Sequence, residues 1–191
     1  MTADDPLKEF RTARAFEKWL SLNHRKADGV RIRIARKSSG LPSITYEEAL
    51  EVALCYGWID GQSKSIDAQW HWQRFTPRRS RSPWSKRNRD IVARLTKEGR
   101  MRPSGQAEID RARADGRWDA AYDSPATATV PADLAAALRG SARARKFFEA
   151  LDGRNRYAIL YRLMMARKPG TRARRLATFV RMLEKGQKIY P

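Results

Sequence analysis

The sequence predicts an α+β fold in which helices dominate, with an all-α fold as the alternative. Residues 30–34 alternate apolar and basic side chains with a period of two, as in a half-buried strand whose arginines face outward. Residues 46–57 place apolar side chains on one face at helical spacing. Beyond about residue 82 the patterns are helical. Together they predict a small antiparallel sheet packed with helices, followed by a C-terminal helical bundle.

Two further elements complete the first part of the prediction. A helix is expected over residues 7–22, because Phe16, Trp19 and Leu20 share one side of it. Two short strand-like segments, 63–66 and 70–75, are expected to form a hairpin that joins the first strand.

The helix after Thr45 has the clearest start signal in the chain. Thr45 and Glu48 have the spacing of a capping box. The helix is expected to end near residues 58–61, where Gly61 would supply the left-handed conformation of the exit.

The remainder of the chain is predicted to be helical. Ser82 before Pro83 is typical of an N-cap followed by the first helical residue. A loop rich in Ser, Thr, Ala and Pro over residues 123–131 predicts a boundary between a domain 1–125 and a module 126–191. Helices are predicted near residues 104–114, 131–139, 142–151, 154–167 and 172–185, with Asp152, Thr171 and Gly186 in capping positions.

The chain of 191 residues is strongly basic, with 40 Lys and Arg against 21 Asp and Glu and a net charge of +19. Residues 1–60 are almost neutral, so the excess lies in the last two thirds. That asymmetry favours a polyanion or a phosphate-bearing ligand. The alternative is genomic: a chain rich in Arg and Ala is also typical of a GC-rich genome, with no ligand involved.

Several classes of protein are disfavoured. No run of about 18 apolar residues could span a membrane, and residues 1–10 are acidic and do not resemble a secretory signal. Cys55 is the only cysteine, so there is no intramolecular disulfide, and we expect a buried thiol in a cytoplasmic protein. Nucleotide-binding glycine loops and hydrolase motifs are missing. One cysteine with His24 and His71 does not supply a zinc site, and neither a metal nor a cofactor is predicted.

Several unusual strings occur in a recognisable order. They are C-Y-G-W-I-D-G-Q-S-K (55–64), R-F-T-P-R-R-S-R-S-P-W-S-K-R-N (74–88), E-G-R-M-R-P-S-G (98–105), A-D-G-R-W-D-A-A-Y-D (114–123), V-P-A-D-L (130–134) and N-R-Y-A-I-L-Y-R-L with A-R-K-P-G-T-R-A-R-R (155–175). This order resembles the YdeI/OmpD-associated, or bacteriocin-protection, family over nearly the whole chain. The segment from about residue 130 resembles the small helical module that gives the family its name. The resemblance implies a setting of stress and bacteriocin tolerance, and brings no reaction or catalytic residue with it.

The segment 74–89 is the main candidate site. Free N–H groups at a helix start near Ser82, together with arginine side chains, would form a phosphate or carboxylate site, and Trp84 could stack on a base. The alternative is a solvated basic loop around a core tryptophan. The candidate ligand residues, here and in neighbouring segments, are Trp58, Asp60, Gln62, Lys64, Arg74, Arg78, Arg79, Ser82, Trp84, Ser85, Lys86, Arg89 and Trp118, and Arg81 and Arg87 add to the charge of the segment.

Three weaker candidates remain open. Trp58 and Asp60 at a helix end could line a pocket, with Asp60 paired to an arginine; the alternative is a packed Trp and a turn Asp. Asp115, Asp119 and Asp123 would share a face and could hold a hard cation if they lay on one helix, although Gly116 favours turn and capping roles. The arginines of the last predicted helix could track a phosphate backbone or form a solvated face; they are Arg172, Arg174, Arg175 and Arg181.

The leading functional hypothesis is a non-enzymatic protein that binds an anionic ligand, nucleic acid or another polyanion, in stress or bacteriocin tolerance. One alternative is an enzyme of unassigned reaction with a pocket of Trp58, Asp60, Arg78, Trp84 and Trp118. Another is an interaction module whose C-terminal helices dock an acidic protein. The sequence leaves the oligomeric state open.

Overall fold

The computed structural model describes residues 5–191, which contain one four-stranded sheet and eight α-helices. The fold is therefore α+β and predominantly helical, as the sequence predicts. The strands are β1 (Leu7–Glu9), β2 (Val30–Ala35), β3 (Trp58–Ser65) and β4 (Trp70–Pro77). The helices are α1 (Ala13–Asn23), α2 (Tyr46–Cys55), α3 (Lys86–Lys97), α4 (Pro103–Ala114), α5 (Ala132–Arg139), α6 (Ala142–Glu149), α7 (Gly153–Met164) and α8 (Pro169–Glu184).

The chain forms two compact units. The first comprises residues 5–84 with Asn88–Ala121, and the second comprises Ser85–Arg87 with Tyr122–Pro191. Each unit has its own hydrophobic cluster: one forms between the sheet and the helices of the first unit, the other among α5–α8. Among residues 5–191, every helix is too short or too polar to cross a membrane.

The sheet is mixed, with strand order β1-β2-β4-β3. The β2–β4 and β3–β4 pairs are antiparallel, whereas β1 runs parallel to β2 and pairs Leu7 with Arg31. The predictions of an all-antiparallel sheet and of a helix over residues 7–22 are thus wrong in part. The helix begins only at Ala13, because the Thr12 hydroxyl caps it by accepting a hydrogen bond of 3.2 Å from the Ala15 N–H.

Helix α2 has the predicted capping box, in which Thr45 and Glu48 each accept a hydrogen bond from the other's backbone N–H. Its end differs from the prediction. The left-handed residue is Gly57, with φ of 77°, and not Gly61. A side chain at Gly57 would be strained by this φ and would also lie 2.9 Å from the Ser104 carbonyl. The chain therefore turns at Gly57, and residues 58–61 begin strand β3.

Helix α3 begins three residues later than predicted. The Ser82 hydroxyl accepts a hydrogen bond of 3.1 Å from the Arg79 N–H and caps no helix. The helix begins at Lys86, whose N–H donates to the Tyr122 carbonyl at 2.9 Å. The predicted cluster of free N–H groups at Ser82–Trp84 is consequently not formed.

The two faces of the sheet have different surroundings. Val30, Ile32, Ile34 and Phe75 point into the core and are fully or almost fully buried. Neighbouring residues of β2 and β4 point the other way and are half-exposed. We call this second side the outer face.

In the second unit, α5–α8 surround Leu134, Ile159, Leu163 and Leu183, all within the buried cluster. Four helices were predicted in this part of the chain, and four are present. Asp152 caps α7 as predicted, accepting a hydrogen bond of 2.8 Å from the Asn155 N–H. The predicted cap at Thr171 is wrong, since α8 begins at Pro169 and encloses that residue.

Candidate functional site

The outer face carries tryptophans and cations side by side. Directly paired residues of neighbouring strands point to the same face of a sheet. Arg31 lies opposite Arg74, while Trp72 lies between Arg33 on one side and Lys64 on the other. Trp70 is two residues from Trp72 on the same strand and therefore shares its face. We call these six residues the platform: Arg31, Arg33, Lys64, Trp70, Trp72 and Arg74.

Contacts within the platform hold its side chains in place. The guanidinium carbon of Arg33 lies 4.2 Å from the ring centroid of Trp70, and that of Arg31 lies 5.7 Å from the centroid of Trp72. Both distances are in the range of cation–π attraction. Arg33 also pairs with Glu9 at 2.6 Å. The tryptophan rings are only half-buried, so part of each aromatic surface faces solvent.

A buried amide shapes the edge of the platform. Gln73 is 5% exposed, and its Nε2 donates to the carbonyls of Gly61 at 2.9 Å and Gln62 at 3.3 Å. These bonds lie where the pairing of β3 and β4 shifts register, between Asp60 and Ser63. Such a bulge redirects the side chains that follow it. As a result, Lys64 lies directly opposite Trp72 on the outer face, and Gln62 is exposed at the β3 edge of the sheet.

A cleft of about 640 Å³ opens where β4 leaves the outer face. Four cationic side chains line it, together with two carboxylates. Asp5 is the more enclosed carboxylate: its side chain is 9% exposed and binds the Arg74 Nε at 2.5 Å. The cations are Lys26, Arg74, Arg78 and Arg79, and the carboxylates are those of Asp5 and Asp28.

Several predicted site residues form a buried stack instead of a ligand surface. The Arg78 guanidinium carbon lies 3.6 Å from the ring centroid of Trp84, whose ring is in turn 5.1 Å from Trp118. The guanidinium carbon of Arg89 lies 5.0 Å from the ring centroid of Trp118, and the Arg89 guanidinium also donates a hydrogen bond of 2.8 Å to the Trp118 carbonyl. Trp84 is 1% exposed. It therefore has no free face on which a base could stack, and that part of the prediction is wrong.

Trp58 and Asp60 do not meet this stack. Trp58 is 1% exposed, packs edge-on against Trp19 and donates from Nε1 to the His24 carbonyl at 3.2 Å. Asp60 accepts a hydrogen bond of 3.0 Å from the Tyr46 hydroxyl, where an arginine partner had been expected. Of the three tryptophans in the postulated enzyme pocket, Trp84 and Trp118 contact each other, whereas Trp58 has a separate set of neighbours.

Other predicted residues have structural partners. The Ser82 carbonyl accepts a hydrogen bond of 2.8 Å from Arg117, whose Nε pairs with Asp115 at 2.7 Å. Within the second unit, Lys86 pairs with Asp123 at 2.8 Å, and Ser85 is buried.

The three aspartates considered for a cation do not share one helix. Helix α4 ends at Ala114, and Gly116 then adopts a left-handed conformation with φ of 74°. Over residues 5–191 there is no group of three or more His, Cys, Asp or Glu side chains placed to hold a metal ion.

The arginines of α8 divide into two kinds. Arg172 pairs with Asp133 at 2.6 Å and donates to the Leu163 carbonyl at 2.8 Å, while Arg175 donates to the Arg162 carbonyl at 2.5 Å. These two arginines therefore bind other helices of the second unit. The sequence prediction had assigned both to a polyanion, and their structural partners do not support it. Arg174 and Arg181 are exposed.

Cys55 is buried near the end of α2, and it lines a small cavity together with Val52, Glu17, Arg100 and Arg102. Burial raises the pKa of this thiol to about 11, so it stays protonated at neutral pH. A protonated thiol is a weak nucleophile, which agrees with the structural role predicted for Cys55.

The second unit has a separate groove of about 450 Å³ beside α7. Tyr157, Tyr161 and Tyr190 line it together with Arg154 and Arg162. Asn155 holds the chain there, since its Oδ1 accepts hydrogen bonds from the N–H groups of Ile189 and Tyr190 at 3.0 and 2.9 Å.

Arg31, Arg33, Trp70 and Trp72 are absent from the site predicted from the sequence. A signal for them was nevertheless present. The alternation that predicts strand β2 also puts its arginines outward, and the same alternation in W-H-W-Q-R-F puts Trp70, Trp72 and Arg74 on one side. What the sequence does not contain is the register that brings the two strands together.

Comparison with known families gives two matches, which cover separate parts of the chain. Residues 8–108 match the model of a domain of unknown function, DUF8412. Residues 127–186 match the model described as bacteriocin-protection, YdeI or OmpD-associated. No curated protein and no solved structure matches the chain. The resemblance seen in the sequence is confirmed over residues 127–186, while the strings before residue 108 lie under the other model. The chain thus belongs to the DUF8412 family, whose model covers more than half of it, and carries a YdeI/OmpD-associated, bacteriocin-protection domain after that region.

Proposed function

We propose that this protein binds single-stranded nucleic acid on the platform of its sheet. One observation carries the proposal: Trp70 and Trp72 lie side by side on a half-exposed sheet face, with Arg31, Arg33 and Lys64 beside them. Proteins that bind single strands combine aromatic surfaces for the bases with cations for the phosphates.

The geometry favours single strands over a duplex. Two residues along a strand advance about 7 Å, so Trp70 and Trp72 offer separate rings to successive bases. The bases of a duplex are stacked on each other, and their faces are not available to a protein ring. A duplex would meet only the cations, and its affinity would be correspondingly lower.

Electrostatics supports the same assignment. The protein has a net charge of +19, and cations that replace counterions on phosphates make binding weaken as salt rises. Glu9 and Asp5 already pair with two of the platform arginines. Phosphates would have to compete with these carboxylates, so we expect moderate affinity with a clear salt dependence.

The test is a titration of labelled single-stranded DNA, single-stranded RNA and duplex DNA by nuclease-treated protein, followed by fluorescence anisotropy at several salt concentrations. The double variant W70A/W72A is expected to lose at least tenfold in affinity for single strands, because each base stack contributes about 1–3 kcal/mol and about 1.4 kcal/mol corresponds to a factor of ten.

Phe147→Ala is the matched control, since Phe147 is a half-buried aromatic residue of α6 in the second unit. It should bind as the unmodified protein does. Equal affinity for single strands and duplex, or unchanged binding by W70A/W72A, would contradict the proposal.

The biological setting remains part of the proposal. The description of the model that matches residues 127–186 supports a role in bacteriocin tolerance, and we propose that it is exercised in the cytoplasm as a stress response. We also propose that α5–α8 act as a helical-bundle module, with Arg174 and Arg181 available to an acidic partner. Neither the enzyme hypothesis nor a catalytic residue gains support from the neighbours of Trp58 and Trp84.

A further inference from the structure

We infer that the cleft at the end of strand β4 receives a terminal phosphate monoester of the bound strand. The inference rests on the proposed function, and it adds that the protein recognises one end of a nucleic acid. Arg74 is the structural link, because it belongs to the platform and also lines the cleft.

The platform and the cleft form one continuous path along β4. Trp70, Trp72 and Arg74 succeed one another on the outer face, and Thr76 follows in the cleft wall. From Trp70 to Thr76 the strand advances about 20 Å. A strand whose bases stack on the tryptophans would therefore bring its next phosphate to Arg74 and the cleft.

The charge of the cleft fits a monoester. Four cations and two carboxylates line it, which leaves an excess of two positive charges. A phosphate monoester carries about −1.5 to −2 at neutral pH, whereas a phosphate inside a nucleic acid chain carries one negative charge. In the described part of the chain, neither Lys26 nor Arg79 has a carboxylate partner within ion-pair distance, and both side chains are exposed.

The Asp5 carboxylate already lies in this cleft where we expect the phosphate to bind. Arg31 and Arg74 lie directly opposite each other on neighbouring strands, an arrangement that repels unless an anion lies nearby. Asp5 supplies it: its carbonyl accepts from the Arg31 Nε at 2.8 Å, and its carboxylate binds Arg74.

Gly29 makes room for this carboxylate. A Cβ at Gly29 would come within 2.4 Å of the Asp5 Oδ2, so the carboxylate packs directly against the backbone. The same space accepts the oxygen of a phosphate once Asp5 yields it.

The experiment compares one single-stranded sequence in three forms: with a 5′-phosphate, with a 3′-phosphate, and with hydroxyls at both ends. We expect one phosphorylated form to bind about tenfold more tightly than the hydroxyl form. The double variant K26A/R79A should lose this preference while keeping its affinity for the hydroxyl form. The charge-matched control is R14A/K18A, which removes two exposed cations from α1 and should keep the preference.

Asp5→Asn provides a test in the opposite direction. It removes the competing charge while preserving the shape of the side chain, so it should strengthen binding of the preferred phosphorylated form more than that of the hydroxyl form. Near-ultraviolet circular dichroism checks that every variant is folded.

The possible failures are distinguishable. If all three forms bind equally and W70A/W72A still lowers the affinity at least tenfold, the platform stands and the terminal-phosphate site is wrong. A preference that K26A/R79A leaves intact also overturns the site. If no form binds at low salt, the proposed function and this inference fall together.

Discussion

Arginine–tryptophan contacts occur in two settings in this protein, and burial separates them. On the platform, Arg33 contacts the half-exposed ring of Trp70 at 4.2 Å. In the core of the same unit, Arg78 lies 3.6 Å from the centroid of Trp84, a ring that is 1% exposed. The first contact leaves aromatic surface free for a ligand. The second leaves no surface of the Trp84 ring free, so the contact contributes to stability and not to ligand stacking.

The sequence does not distinguish these two settings. The segment 74–89 has the higher density of arginine, so composition directs attention to Trp84. Whether a ring is covered depends on what packs against it from elsewhere in the chain, and Trp118 covers Trp84 from 34 residues away. Net charge likewise does not show where a ligand binds. Arg172 and Arg117, for example, form ion pairs with Asp133 and Asp115 within the protein.

His71 makes stability depend on pH. Burial lowers the pKa of His71 from its ordinary value of 6.5, and the nearby Arg36 lowers it further. The folded protein therefore favours the neutral ring. As the pH falls below about 6.5, the unfolded chain takes up the proton before the folded one does, and stability is lost until the lower, folded-state pKa is passed.

We therefore expect the free energy of unfolding to decrease with falling pH below about 6.5, and to do so less steeply in His71→Gln. Urea denaturation between pH 8 and pH 5 measures both slopes, and the values at pH 8 correct for any change that does not depend on protonation. Parallel curves for the two proteins would show that His71 does not contribute.

At the scale of elements, a local sequence signal is correct where no contact with a distant part of the chain overrides it. The capping box of α2 needs only Thr45 and Glu48, and the structure has it. The secondary structure of residues 7–9 depends on β2, because these residues form a strand by pairing with it in parallel. The end of α2 depends on Ser104, whose carbonyl approaches Gly57 too closely for any side chain. Likewise, Ser82–Pro83 resembles a helix start, but the bridge between Ser85 and Tyr122 keeps the chain extended until Lys86.

The capping box gives an element-scale prediction. Thr45→Ala should lower the free energy of unfolding by about 1 kcal/mol, because it removes the acceptor for the Glu48 N–H at the first turn of α2. Ser38→Ala is the control, an exposed hydroxyl outside α2. Chemical denaturation of the two variants should separate them, and equal stabilities would show that the cap is energetically silent.

At the scale of the whole molecule, residues 5–191 contain two hydrophobic clusters rather than one. Leu163 is fully buried in the cluster formed by α5–α8. Leu163→Ala should destabilise that cluster by about 2–5 kcal/mol, because it removes buried apolar volume and leaves a cavity. Hydrogen exchange measured residue by residue is the suitable probe, since a single unfolding curve would average over both clusters.

The expected result of Leu163→Ala is faster exchange of amides in α7 and α8, with the amides of β2 and β4 retaining their protection. Val130→Ala, at a partly exposed position before α5, serves as the control and should change little. An equal loss of protection in the sheet would mean that the two clusters unfold as one.

Strand β1 has only three residues, yet it forms one border of the sheet and decides which backbone groups are unpaired there. It covers the side of β2 that β4 leaves open. Without it, β2 would present unpaired N–H and C=O groups next to buried isoleucines, which is a template for strand addition by a second chain. At the opposite edge, the bulge near Gly61 and the exposed Lys64 oppose such pairing by distorting and charging β3. Solubility of this sheet thus depends on a short pairing at one border and an irregularity at the other.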